Sequence, residues 1–176
     1  MSILDKVVAA VTPPESEEAR VAARAKAEAI AQPGDWLSQI LEHHRAIQAK
    51  FGELKRAATV SERVAVQKEL SVLLAGHAIA EEMAIYPAMA GEHQPGHSEL
   101  AYQEQSAAKM ELGLLEKLDP LSQDYQDKLG HIEGAVTHHI YSEEATWFPK
   151  LVEDSSPEEH EAITARYREE YERYIG

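Results

Sequence analysis

Apolar residues recur every three or four positions along most of the chain, the period of an amphipathic α-helix rather than of a strand. One stripe runs Leu37, Ile40, Leu41, His44, Ile47, Phe51 and Leu54. A second runs Val66, Leu70, Leu73, Leu74, His77, Glu81, Ala84 and Ala88. A third, less apolar, holds Tyr102, Gln105, Ala108, Leu112 and Leu115, and a fourth holds Ile132, Val136, His139, Glu143 and Trp147. Glycine and proline clusters separate the stripes. The pattern predicts helices over about 15–31, 35–58, 62–90, 98–118, 122–152 and 157–174. Asp35, Thr59 or Ser61, and Ser156 have the side chains of N-caps, and Pro157 suits a first helical position.

Four long helices joined by short loops predict an all-α protein, an antiparallel up-down four-helix bundle over 35–154. Residues 1–34 form an N-terminal helical extension in this reading. Residues 155–176 supply a C-terminal helix that packs on the bundle. In this topology the second and fourth helices run parallel, so equivalent positions on them sit at one level.

The stripes are interrupted by polar residues at that level. His77, Glu81, Glu82, Tyr86 and Pro87 are echoed 62 residues later by His139, Glu143, Glu144, Phe148 and Pro149. A histidine and a glutamate at i and i+4 share a helix face and point the same way. A glutamate in a core stripe is costly to bury unless it is paired or bound to a cation. His44 interrupts the first stripe at the same depth. One His–Glu pair alone would read as a surface contact, but two in register with His44 point to a metal site. At the matching depth the third helix offers Gln105, not a histidine. Three roles suit Gln105: a weak or water-mediated ligand, a hydrogen-bond donor to a ligand or bound water, or the mark of a site with one metal fewer.

Composition narrows the chemistry. The chain has 176 residues, which suits one domain with a full core. It has no cysteine, so disulfides, thiolate zinc sites and cysteine-held iron–sulfur clusters are excluded, and a metal must be held by nitrogen and oxygen. The net charge of −14 argues against nonspecific binding to nucleic acid or to an anionic membrane. No apolar run approaches bilayer length, and the first residues lack a basic leader, so a cytoplasmic location is expected.

Other polar residues have plainer readings. Glu82 and Glu144 point about 100° away from the glutamates before them, toward outer contacts or solvent. Pro87 and Pro149 are expected to bend or end their helices. His43, His93, His97, His131, His138 and His160 read as surface or loop residues. The apolar leader with Ile3, Leu4, Val7, Val8 and Val11 can dock on the bundle or make a dimer contact.

The residues His43-His44, His77/Glu81/Glu82 with Tyr86-Pro87, and His139/Glu143/Glu144 with Phe148-Pro149 resemble those of hemerythrin-like proteins of the HHE cation-binding domain family, over about 35–151. The stretch Tyr102 to Gln105, with Leu112, Leu115 and Leu118, resembles the family's third helix. The resemblance implies a four-helix bundle holding an oxo- or hydroxo-bridged di-iron centre. It implies His44, His77, Glu81, His139 and Glu143 as ligands, with the glutamates as candidate bridges. The family's third helix supplies a histidine after an acidic residue; here that place reads Glu104-Gln105. Iron, as two ions or one, is the expected cofactor, with zinc or manganese as alternatives. The expected partner is a small diatomic or peroxide ligand, for sensing, storage or stress defence or for metal-centred turnover, in a monomer or homodimer.

Overall fold

The computed structural model describes residues 15–91 and 94–175, and every regular element in them is helical. The apolar leader and His93 lie outside the described residues. Six helices follow in order: α1 (Glu17–Ile30), α2 (Trp36–Arg56), α3, α4 (Pro95–Leu115), α5 and α6 (Pro157–Ile175). Helix α3 starts as Val60–Ala80, widens to a π-helical turn at Glu81–Ile85 and continues as Tyr86–Gly91. Helix α5 repeats the plan as Gln123–Ser142, a π turn at Glu143–Trp147 and Phe148–Asp154.

The starts follow side-chain chemistry. Asp35 accepts from the Ser38 N–H at 2.7 Å, and Ser122 accepts from Tyr125 at 3.1 Å. Thr59 and Glu62 form a reciprocal capping box, and Ser156 and Glu159 make the same exchange before Pro157. Helix α4 departs from the sequence expectation at both ends. It begins at Pro95, where a missing N–H costs nothing, and ends at Leu115, after which Lys117 and Leu118 bond three residues back.

Pro87 and Pro149 do not end their helices, so of the two expected outcomes, bending or ending, the second is excluded. In an α-helix each ring would meet the carbonyl four residues back, that of Met83 or Ala145. Here each proline follows a π turn, closed by Tyr86 N–H to Glu81 O in one copy and Phe148 N–H to Glu143 O in the other. The wider turn lets the helix run on through the proline.

Helices α2, α3, α4 and α5 close a ring in which each packs on the next and α5 returns to α2. Helix α6 lies against α2 and α3, and α1 lies against α2 and α5, so the two outer helices flank α2. The interior divides into two apolar clusters. One gathers Trp36, Leu37, Leu41, Tyr86, Phe148 and Tyr167; the other gathers Ile47, Phe51, Leu70, Leu112, Leu129 and Ile132. His44 falls between Leu41 and Ile47 on α2, and His77 between Leu74 and Ala80 on α3. A polar layer therefore separates the two apolar halves.

Candidate metal centre

The polar layer is built from the interrupted stripes. His44, Glu81 and Glu143 are each 0% exposed, and His77 and His139 are buried beside them. His77 Nε2 lies 3.2 Å from Glu81 Oε2, and His139 Nε2 lies 3.2 Å from Glu143 Oε1, each pair one turn apart. His44 Nε2 reaches both carboxylates, at 3.3 Å from Glu143 Oε2 and 4.0 Å from Glu81 Oε1. The structure thus brings together the five residues that the sequence singled out, from three helices.

The imidazoles share one orientation rule. His44 Nδ1 is held by Glu144 at 2.8 Å, His139 Nδ1 by Glu104 at 2.8 Å, and His77 Nδ1 by the Tyr167 hydroxyl at 3.3 Å. Each outer nitrogen is committed, so each Nε2 faces the carboxylates. This is the arrangement that fixes the tautomer of a metal-binding histidine.

Electrostatics reflect the crowding of two carboxylates in a dry layer. Burial and the neighbouring Glu143 charge push the Glu81 carboxyl well above its usual range. Burial opposes ionisation of Glu143 too, but His139 and His44 outweigh it and hold its carboxyl low. Burial would lower His44, yet Glu143 and Glu144 raise it to about 9. His139 is raised well above its ordinary value because Glu143 and Glu104 overcome burial. His77 goes well below it, through burial and the neighbouring His44.

The residues fit a cation. One ligand atom each from His44, His77, Glu81 and Glu143 lies within 4.8 Å of the other three. His44 Nε2, Glu81 Oε1 and Glu143 Oε2 are buried with no hydrogen-bond partner. Two buried carboxylates with unpartnered oxygens are costly, and a bound cation removes the cost. Nitrogen and carboxylate donors without sulfur suit iron, zinc or manganese.

Gln105 points its amide nitrogen at Glu81 Oε2, while its Oε1 is buried without a partner. It therefore touches a carboxylate of the layer. Glu144 is buried between His44 and Arg24, whose guanidinium binds it at 2.5 to 3.0 Å. Glu82 instead pairs with Lys109 at 2.5 Å on a more exposed face.

Two of the histidines expected at the surface are built into the fold. His43 is half-buried, bonds the Tyr167 hydroxyl at 2.8 Å and stacks on Tyr171; burial and the neighbouring His44 lower it to about 4. His160 joins Asp35 and the Trp36 indole, clamping α6 to the start of α2.

The sequence reading missed Tyr86. Its hydroxyl lies 3.2 Å from Glu81 Oε2, 3.2 Å from His139 Nε2 and 3.0 Å from Glu143 Oε1, with the ring fully buried. A residue five positions after Glu81 lies about 140° around an ideal α-helix, off the ligand face. The π turn rotates it back. The one sequence signal was the unequal aromatic of the repeat, Tyr86 against Phe148.

Comparison with known proteins agrees with this layer. A protein described as a DNA nickase from Nostoc sp. (strain PCC 7120 / SAG 25.82 / UTEX 2576) is 24% identical over 125 residues, covering 71% of this chain and 36% of that protein. The chain thus spans about a third of that relative's length. No solved structure matches. The hemerythrin HHE cation binding domain matches residues 36–151, from the start of α2 through the second π turn to Leu151, and the chain belongs to that family.

Proposed function

We propose that this protein is a non-haem iron protein that holds two iron ions in the His/Glu layer and takes a small ligand there, O2, peroxide or nitric oxide, for sensing, storage or stress defence. The observation that carries the reading is the shared orientation of the three imidazoles, each Nδ1 anchored outside, with Nε2 of His77 aimed at Glu81, that of His139 at Glu143 and that of His44 at both. One ion would be held by His44, His77, Glu81 and Glu143. A second would be held on the His139 side by His139 and the glutamates, with the Tyr86 hydroxyl as an oxygen donor.

Tyr86 Oη, His139 Nε2 and Glu143 Oε1 lie 3.0 to 3.2 Å from one another. Groups this close could serve one ion together, and Tyr86 would then take the part that a third-helix histidine would play, while Gln105 steadies Glu81. When bound, iron supplies the electrons and the open positions that O2, peroxide or nitric oxide need. The protein orients the ligands through the contacts at each Nδ1 and flanks the layer with its two apolar clusters. The sequence offers no recognisable nucleophile and base pair, so any turnover would centre on the metal. The net charge of −14 supports a reading without a nucleic-acid partner, and no helix of the described residues is long and apolar enough to cross a membrane.

The test is optical. Protein loaded anaerobically with iron(II) should gain visible charge-transfer bands on exposure to air, peroxide or nitric oxide, and lose that response in Glu81→Ala. An iron-loaded protein that stays colourless with all three, or that is stabilised by zinc alone, contradicts the redox reading.

A further inference from the structure

A cavity of 510 Å³ opens between α4 and α5 and runs inward to His77, Gln105 and His139. Its volume is far beyond the needs of a diatomic molecule, since a water molecule claims only about 30 Å³ of liquid. It falls in the range of pockets that enclose small organic molecules, roughly 300 to 1,000 Å³. Ile47, Leu74, Leu112 and Val136 make its inner wall apolar.

Two observations set the class of occupant. First, the charged groups on the lining already have partners. Glu104 holds His139, Lys109 holds Glu82, Glu133 holds Lys55, and Glu15 holds both His138 and Arg20. An ionic ligand would find no free counter-charge. Second, Gln105 is 5% exposed, lines the cavity and keeps a buried Oε1 without a partner. That oxygen is an acceptor awaiting a donor.

The helix backbone keeps the space open. Gly130 and Gly134 lie one turn apart on α5 and line the cavity, and a Cβ on either would meet no atom within 4 Å. Packing does not demand glycine there, although each costs about 1 kcal/mol of helix propensity against alanine. Side chains at these positions would enter open space at the cavity lining.

We propose that this cavity binds an uncharged organic molecule with an apolar body and one hydrogen-bond-donating head, the head resting on Gln105 Oε1 beside the metal layer. A medium-chain alcohol is the simplest such molecule. The position of the head relative to metal rests on the function proposed above; binding of the apolar body does not, so the two can fail separately.

Calorimetric titration of the metal-loaded full chain with 1-octanol, methyl octyl ether and octanoate tests this, with metal content measured in the same samples. The expected result is saturable 1:1 binding of octanol, with the ether at least tenfold weaker for want of a donor and octanoate weaker still. Gly134→Leu should abolish binding with unchanged metal content, and Ala108→Leu, on the facing α4 wall, should do the same if the first variant fails to fold. Gln105→Leu should erase the preference for alcohol over ether. Absence of saturable binding, equal binding by the filled variants, or a preference for octanoate overturns the proposal. Octanol binding by a chain that takes up no metal overturns the metal reading and leaves this one standing.

Discussion

Tyr86 shows how one side chain can change the character of a layer. Its phenol is surrounded by Glu81, Glu143 and His139, and burial together with both carboxylates holds it protonated far above its usual pKa in the metal-free chain. Tyr86→Phe keeps the ring's packing and removes only the hydroxyl. Iron per chain is expected to fall from two toward one, with loss of the phenolate band in the visible spectrum. Two ions and an unchanged spectrum in the variant would remove Tyr86 from the coordination sphere. The five other residues of the layer were legible because they fell on 3.6-residue stripes; Tyr86 was not, because the stripe rule assumes an unbroken α-helix.

The same residues predict opposite pH trends for the metal-free and metal-bound forms. His44 is raised to about 9 and His139 is also raised, so their stabilising protonated forms are fully present below pH 6.5 and are lost as the pH climbs through the folded values. The metal-free chain should lose stability between pH 6.5 and 9, by about 3 kcal/mol from His44. Metal affinity should rise over that window, because binding displaces those protons. Thermal melts of the chelated protein and metal titrations at the same pH values check both signs; a metal-free Tm that climbs from 6.5 to 9 would contradict the assignment.

At the scale of elements, the two π turns carry the site. Each starts at a glutamate of the layer, is closed by an N–H five residues on and is followed by a proline. The outer helices contribute through hydrogen bonds rather than direct ligands. Arg24 of α1 holds Glu144, which holds His44; Tyr167 of α6 holds His77. Arg24 lies outside the matched residues 36–151, so the extension reaches the layer from beyond them. Arg24→Ala should weaken metal binding by about ten- to a hundredfold in a competition titration. A structural role alone would lower the melting temperature of the metal-free protein and leave affinity unchanged. Sequence periodicity located the six helices of the described residues, and cap chemistry placed Asp35, Thr59 and Ser156. The π turns before Pro87 and Pro149 were not legible, because helix-breaking rules treat proline in an α-helix and leave open whether the helix bends or ends. Arg24 was not legible either: its partner lies 120 residues away.

For the whole molecule, the architecture is two apolar clusters held apart by a layer of charge. A metal that binds only the folded state should convert that layer from a cost into a support, adding about 4 kcal/mol at a thousandfold excess over Kd. The excess acidic charge accompanies ion pairs on the outer helix faces, while the histidine and glutamate layer lies inside. The most direct test of the central claim is metal content per chain after iron loading and removal of free metal, in the unmodified protein and in Glu81→Ala/Glu143→Ala. The account predicts close to two iron ions per unmodified chain and essentially none in the double variant. Equal metal content in both proteins would place the metal elsewhere and contradict it.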